Sequence, residues 1–170
     1  MTIEDLLAKQ EIVELSGTYM HGLDRLHRES LRGVFHDDAT TDYGFFQGGP
    51  DDFVDMAFGA LSDHDDNHHM LGQINIRLDG EVAFGEVYFQ AFHRVTNEAG
   101  EKEDLFISGR YVDRYEQRNG VWKIAHRSEV NDWARTEPAA DTYFQSNTAS
   151  LRGARFPDDL ICDVEKLRKR

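Results

Sequence analysis

Apolar residues recur at helical spacing at the start of the chain: Ile3, Leu6, Leu7, Ile12, Val13, Leu15 and Tyr19. That period predicts a helix over about 3–22. Thr2 begins a T-I-E-D start, with Asp5 three residues on and Glu4 in the first turn, so the first amides gain acceptors and the helix dipole gains negative charge. Gly22 and the stretch around His27 loosen the pattern, and a second short helix is predicted over 28–35. The period then changes. ATTDYGFF is β-branched and aromatic and predicts a strand near 39–46, broken by Gly48-Gly49-Pro50. Pro50 and the acidic pair Asp51-Asp52 open a third helix that runs through about Leu61.

From His68 onward the pattern is that of strands. HHMLGQINIRL and EVAFGEVYFQAFHRV flank Asp79-Gly80, a strong hairpin signal. The polar stretch from Asn97 to Lys102 is a loop. LFISGRYVDRYEQR and VWKIAHRSEVNDW flank a second hairpin turn, Asn119-Gly120. The order helix, helix, strand, helix, then long antiparallel strands is an α+β plan: a curved, cone-shaped meander sheet with helices packed on one face. Residues 1–134 are expected to form the domain. Residues 135–170 form a C-terminal tail that caps the cone or contacts another subunit, with a helix expected over 158–169.

Composition narrows the function. A chain of 170 residues is large enough for one domain with a real core, and 39% apolar with 30% charged residues fits a soluble globular protein. The net charge of −13 argues against nucleic acid and against anionic membranes as partners. Cys162 is the one cysteine, so no intrachain disulfide is expected, and a cytoplasmic location follows as an expectation. MTIEDLLAKQ lacks the basic start and apolar core of a signal peptide, and no stretch approaches the roughly 20 apolar residues that span a bilayer.

Four positions carry the candidate chemistry, each in or beside an apolar run: Asp24, Tyr43, His69 in DNHHM and His93 in QAFHR. Imidazole titrates near neutral pH, and a carboxylate on its far nitrogen fixes the tautomer and stabilises the imidazolium that forms. A phenol or second imidazole then assists a departing group. The cluster His64, Asp65, Asp66, His68, His69 invites a metal reading, but its spacing matches no closed zinc set and no cysteine is near, so no metal site is assigned. No phosphate-cradling glycine loop and no nucleotide or flavin motif is present, and no cofactor is expected.

The segments HGLDRLHRESLRGVFHDDAT, DNHHMLGQINI and GRYVDRYEQRNGVWKIAHR, with the spacing between them, resemble the NTF2-like superfamily. Within it, the chain is similar to the SnoaL-like branch that contains scytalone dehydratase, hexachlorocyclohexane dehydrochlorinase and bile-acid 7α-dehydratase. The resemblance covers roughly residues 3–134. It implies that Asp24 orients His69, that His69 is the general base, and that Tyr43 and His93 hold or protonate oxygen. His68 or His64 takes the place of His69 if the register slips. A tyrosine that precedes the aspartate in the dehydratase is Leu23 here, and its small polar groups on a later strand become Gly109 and Tyr111. Arg127 is the nearest match to a basic residue of the dehydrochlorinase, within a residue or two.

The resemblance implies a cofactor-independent lyase that eliminates water, hydrogen halide or a small aldehyde from an apolar, aromatic or polycyclic hydroxylated small molecule. Tyr19, Phe45, Phe89, Arg110, Tyr111 and Arg127 are the expected substrate contacts. A homo-oligomer, dimer or trimer, is implied as well. Two rivals stand beside it: an isomerase on the same scaffold, and a non-catalytic binder or structural subunit of the kind found in ring-hydroxylating dioxygenases.

Overall fold

The computed structural model describes residues 1–169. Helix α1 (Ile3–Asp24) starts in a complete capping box: the Asp5 amide donates to the Thr2 hydroxyl at 3.1 Å, and the Thr2 amide donates to the Asp5 carboxylate at 2.7 Å. Helix α2 (Arg28–Gly33) follows, then β1 (Phe35–Asp42) and the two-residue β2 (Gln47–Gly48). Helix α3 (Pro50–Ser62) has Pro50 in its first turn, where a missing N–H costs nothing. Four long strands complete the sheet: β3 (Asp66–Asp79), β4 (Val82–Thr96), β5 (Lys102–Arg118) and β6 (Val121–Pro138).

The strand order is β2-β1-β6-β5-β4-β3. Strands β3 to β6 form the expected antiparallel meander, turned at one hairpin by Asn119 and Gly120, both at positive φ, as a two-residue type I′ turn needs. The sheet is mixed rather than wholly antiparallel, because β1 runs parallel to β6. It is also open, with β2 and β3 at its edges, so the cone does not close into a barrel. Irregular registers bend the strands at Leu71–Ile74, Ser108–Gly109 and Arg114–Tyr115. Helix α1 packs on β3 and β6, and α3 packs on β1, so the core lies between one sheet face and the helices.

Several boundaries differ from the sequence reading. The second helix ends at Gly33, and the first strand begins at Phe35 rather than near 39, because the Val34 carbonyl accepts from the Ile124 amide and Phe35 pairs with Ile124. The last strand runs to Pro138, past the boundary expected at 134. In place of one helix over 158–169 there are a 3-10 turn at Leu160–Cys162 and a short helix α5 (Val164–Arg168), after an isolated turn α4 (Tyr143–Ser146). The tail folds back onto α1: the Phe156 amide donates to the Arg25 carbonyl at 2.7 Å, and the Phe156 ring stacks on His27. Among the described residues no helix is long and apolar enough to cross a membrane.

Candidate active site

Asp24 ends α1, one turn beyond Tyr19 and Met20, and is buried with them on the sheet-facing side. Strand pleating turns alternate residues of β3 inward, so Asn67, His69 and Leu71 face the core while His68 and Met70 are exposed. His69 therefore meets Asp24, and His68 does not. The His69 ring Nδ1 lies 2.7 Å from Asp24 Oδ1, and the His69 backbone N–H donates to both carboxylate oxygens at 3.1 and 3.0 Å. Only 6% and 9% of the two side chains are exposed, so the pair is largely dry. A carboxylate accepts only, so Nδ1 carries the hydrogen and Nε2 is left as the basic lone pair.

His93, on β4, pairs in register with Asn67. A guanidinium only donates. The Asn67 amide oxygen therefore faces Arg155, at 3.1 and 2.8 Å, and its nitrogen donates to Nδ1 of both His93 and His64 at 2.8 Å. His93 thus carries its hydrogen on Nε2. Burial pushes its pKa down to about 3, helped by the neighbouring His69 and His64. It is a neutral hydrogen-bond donor, not an imidazolium.

Tyr43 lies just past the end of β1, not within the strand, and its hydroxyl is 2.6 Å from that of Tyr19. Burial raises both phenols, Tyr19 to about 12 and Tyr43 well above the usual tyrosine value. Each remains a neutral donor at physiological pH. Phe53 stacks against both rings, and Phe89 stacks on Tyr111 across the cavity.

Arg127 is fully buried and does not line the cavity. It sits behind the wall, its guanidinium 4.1 Å from the ring centres of both Tyr19 and Tyr111. Its Nε and Nη2 donate to Asp113 at 2.8 and 2.7 Å, while Nη1 has no partner. The expected substrate contact at Arg110 is contradicted. Gly109 and Tyr111 point inward, so pleating sends Arg110 to the opposite face, where it bonds Glu86 at 2.7 Å. Phe45 is 77% exposed and stands at the cavity mouth. Tyr19, Phe89 and Tyr111 are buried walls of the cavity.

Glu129 was not among the expected site residues. It follows Arg127 by two on β6, faces Tyr111 in register and lines the same cavity as His69 and His93. Once the register of Arg127 is known, alternation along β6 marks it, but the sequence alone does not fix that register. Burial raises its carboxyl above the usual glutamate value, against the opposing effects of an Asn131 hydrogen bond and the nearby His69 and Arg127.

The cavity bounded by these groups measures about 160 Å³ and is mainly apolar. A larger groove of about 400 Å³ lies under the tail. Three of its arginines are tied to aspartates, Arg25 to Asp159, Arg94 to Asp104 and Asp141, and Arg152 to Asp66, while Arg155 bonds backbone carbonyls and the Asn67 amide, and neither His69 nor His93 opens onto it. The smaller cavity is the candidate site. Among the described residues no group of three or more His, Cys, Asp or Glu side chains is arranged to hold a metal ion.

A mixed α+β sheet enclosing an apolar cavity with a buried Asp–His pair defines an NTF2-like pocket protein. The model of the SnoaL-like domain matches residues 4–128, and the chain belongs to that family. Uncharacterized proteins of Mycobacterium bovis and Mycobacterium tuberculosis are each 25% identical over 133 residues, covering 76% of this chain and 89% of theirs. A type 2 hexachlorocyclohexane dehydrochlorinase superposes with a TM-score of 0.72 at 20% identity, covering 82% of this chain and 94% of its own. A candidate scytalone dehydratase of Novosphingobium aromaticivorans superposes at 0.70 with 24% identity, covering 84% and 94%. At these identities the solved structures speak for the fold.

Proposed function

We propose that this protein is a cofactor-independent lyase that eliminates a small group from a ring-bearing, hydroxylated small molecule. The observation that carries the reading is the Asp24–His69 hydrogen bond of 2.7 Å in a dry site, with the basic Nε2 of His69 left for an apolar cavity. Asp24 holds the tautomer and steadies the imidazolium, and His69 takes a proton from carbon next to a carbonyl or ring. His93 and the Tyr19–Tyr43 pair offer neutral N–H and O–H groups to oxygen, where negative charge develops. Low polarity around the pair strengthens each of these contacts. A cavity near 160 Å³ is close to the ~150 Å³ that holds benzene in an engineered apolar cavity. One ring therefore fits inside, and a second ring would rest at the mouth against Phe45.

The elimination chemistry of the dehydrochlorinase and the candidate scytalone dehydratase, as their names give it, supports the reading as an analogy of fold. The expected homo-oligomer is kept as part of the proposal, with exposed Phe84, Val112 and Val130 on the outer sheet face as the contact. The test is a mass-spectrometric turnover screen of chelator-treated protein with hydroxylated aryl ketones, diarylpropane diols and hydroxysteroid derivatives, beside His69→Ala. Loss of water, halide or formaldehyde by the wild type alone is the expected result. Equal turnover by His69→Ala sinks the mechanism, and a product of unchanged mass replaces the lyase with an isomerase.

A further inference from the structure

An elimination needs a proton donor as well as a base whenever the leaving group is poor. Hydroxide leaves only if its oxygen is protonated as the C–O bond breaks, whereas chloride leaves unaided. The cavity holds few groups that can give up a proton. The Tyr19 and Tyr43 phenols are held neutral by burial and are weak acids there. His93 is already neutral, and its remaining N–H can donate a hydrogen bond but cannot be lost. His69 is occupied as the base.

Glu129 is different. The register of β5 and β6 sets Asp113 against Arg127, Tyr111 against Glu129 and Gly109 against Asn131, all on the inward face. The carboxyl therefore enters the wall between a buried guanidinium and a surface amide. Arg127 makes no ion pair with it: Nε and Nη2 bond Asp113 and Nη1 has no partner, so the guanidinium acts on the carboxyl only through space, opposing the effect of burial. Among the described residues Glu129 has no ion pair, and its one side-chain partner is Asn131 Nδ2 at 3.1 Å. The charged or titratable groups facing it come from every neighbouring element: Tyr19 of α1, His69 of β3, Tyr111 of β5 and Arg127 of its own strand. Tyr43 and His93 complete the titratable lining of the cavity, but Tyr43 is bonded to Tyr19 and His93 to Asn67, and Asp24, bonded to His69, is not part of that lining.

We infer that Glu129 is the catalytic acid of this pocket, and that the leaving group it serves is a hydroxyl rather than a halide. The inference rests on the lyase reading above. In the step, His69 Nε2 takes the proton from the carbon next to a carbonyl, and that electron pair forms the new C=C bond. The C–O bond at the β carbon breaks, and the Glu129 carboxyl proton goes to the departing oxygen, releasing water. An imidazolium and a carboxylate remain. Transfer of the proton from His69 to Glu129, directly or through the released water, restores both groups. Burial that raises the carboxyl keeps it protonated further up the pH scale than a surface glutamate.

The experiment compares wild type with Glu129→Gln, which keeps the shape and removes the proton, on a β-hydroxy aryl ketone and its β-chloro counterpart. Infrared spectra across a pH series report whether a protonated carboxyl band is present in the wild type and missing from the variant. The expected result is a loss on the order of 10²–10⁴-fold on the hydroxy ketone, the usual worth of a positioned acid. A much smaller loss is expected on the chloro ketone. The wild-type rate on the hydroxy ketone should also fall at alkaline pH with the same midpoint as the carboxyl band. Equal losses on both ketones, no loss on the hydroxy ketone, or identical infrared spectra overturn the role of Glu129 and leave the His69 reading standing. Wild-type protein inert towards both ketones overturns the lyase reading and this inference with it.

Discussion

Asp113→Asn is the most demanding test of the structure, because it changes one charge and almost no volume. Asp113 and Arg127 are both fully buried and joined by two hydrogen bonds, and the Tyr115 hydroxyl donates to the same carboxylate at 2.6 Å. The carboxylate thus accepts from three donors, two of them on a cation. An asparagine in that place offers one oxygen and turns an N–H group towards donors. It also leaves the guanidinium charge uncompensated between Tyr19 and Tyr111. Those ring contacts persist in the variant, so they do not soften the change. Removing one partner of a buried pair typically costs about 3–5 kcal/mol. For a chain of this size each kcal/mol shifts Tm by roughly 2–4 °C, so a drop of about 6–20 °C is expected. Urea unfolding followed by tryptophan fluorescence gives the free energy, and circular dichroism gives Tm. The control removes both charges, Asp113→Leu with Arg127→Met, and should be neutral or stabilising by about 1–4 kcal/mol. A single-variant loss below about 1 kcal/mol, the worth of an exposed pair, refutes the burial argument. So does a double variant as unstable as the single one.

Two further expectations follow from other sites. His93 is depressed to about 3 in the fold against 6.5 for a free imidazole, so below pH 6.5 the unfolded chain takes up a proton that the folded chain refuses. Its contribution to stability is therefore complete above pH 6.5 and is lost as the pH falls towards 3. The urea midpoint of His93→Asn should depend less on pH across that window than the wild-type midpoint, and identical slopes would refute the assignment. At the β5–β6 irregularity, a Cβ on Gly109 would stand 2.3 Å from the Val130 carbonyl oxygen, so Gly109→Ala should lose roughly 1–3 kcal/mol on urea unfolding. Gly17→Ala, on an exposed helix face with open space around it, should gain up to about 1 kcal/mol, and a loss at both positions equally would count against the close approach at Gly109.

Much of this arrangement was legible in the chain itself. The strand pattern after His68 gave the meander, because inward and outward residues alternate over long runs with a clear hairpin signal between them. Asp24 and His69 were reachable because each belongs to a segment with a family resemblance. Arg110 was misassigned by a single step of the same alternation: its neighbours Gly109 and Tyr111 point inward, so it cannot. On β6 the extra residue Ala125 shifts the phase between Ile124 and Arg127, which is why the register there could not be read from alternation alone. Glu129 was invisible for a statistical reason, since with 32 acidic residues any one is most simply a surface charge. The parallel pairing of β1, the Asn67 amide and Arg155 depend on contacts between residues far apart in sequence. No local pattern encodes them.

The tail has a consequence for the order in which this pocket is completed. Arg155 donates to the Asp24 carbonyl at 2.5 Å and to the Asn67 amide, and it follows every strand of the sheet in the chain. Synthesis is directional, so the sheet and its cavity can assemble before this arginine has left the ribosome. In that interval the end of α1 lacks its latch, and nothing obliges the Asn67 amide to donate to His93. This later-made clasp then fixes the backbone at the end of α1 and the Asn67 side chain of β3, both made long before it. The chemistry of the cavity thus depends on a residue made after its walls, and a molecule truncated before Arg155 would carry the same walls without the same chemistry.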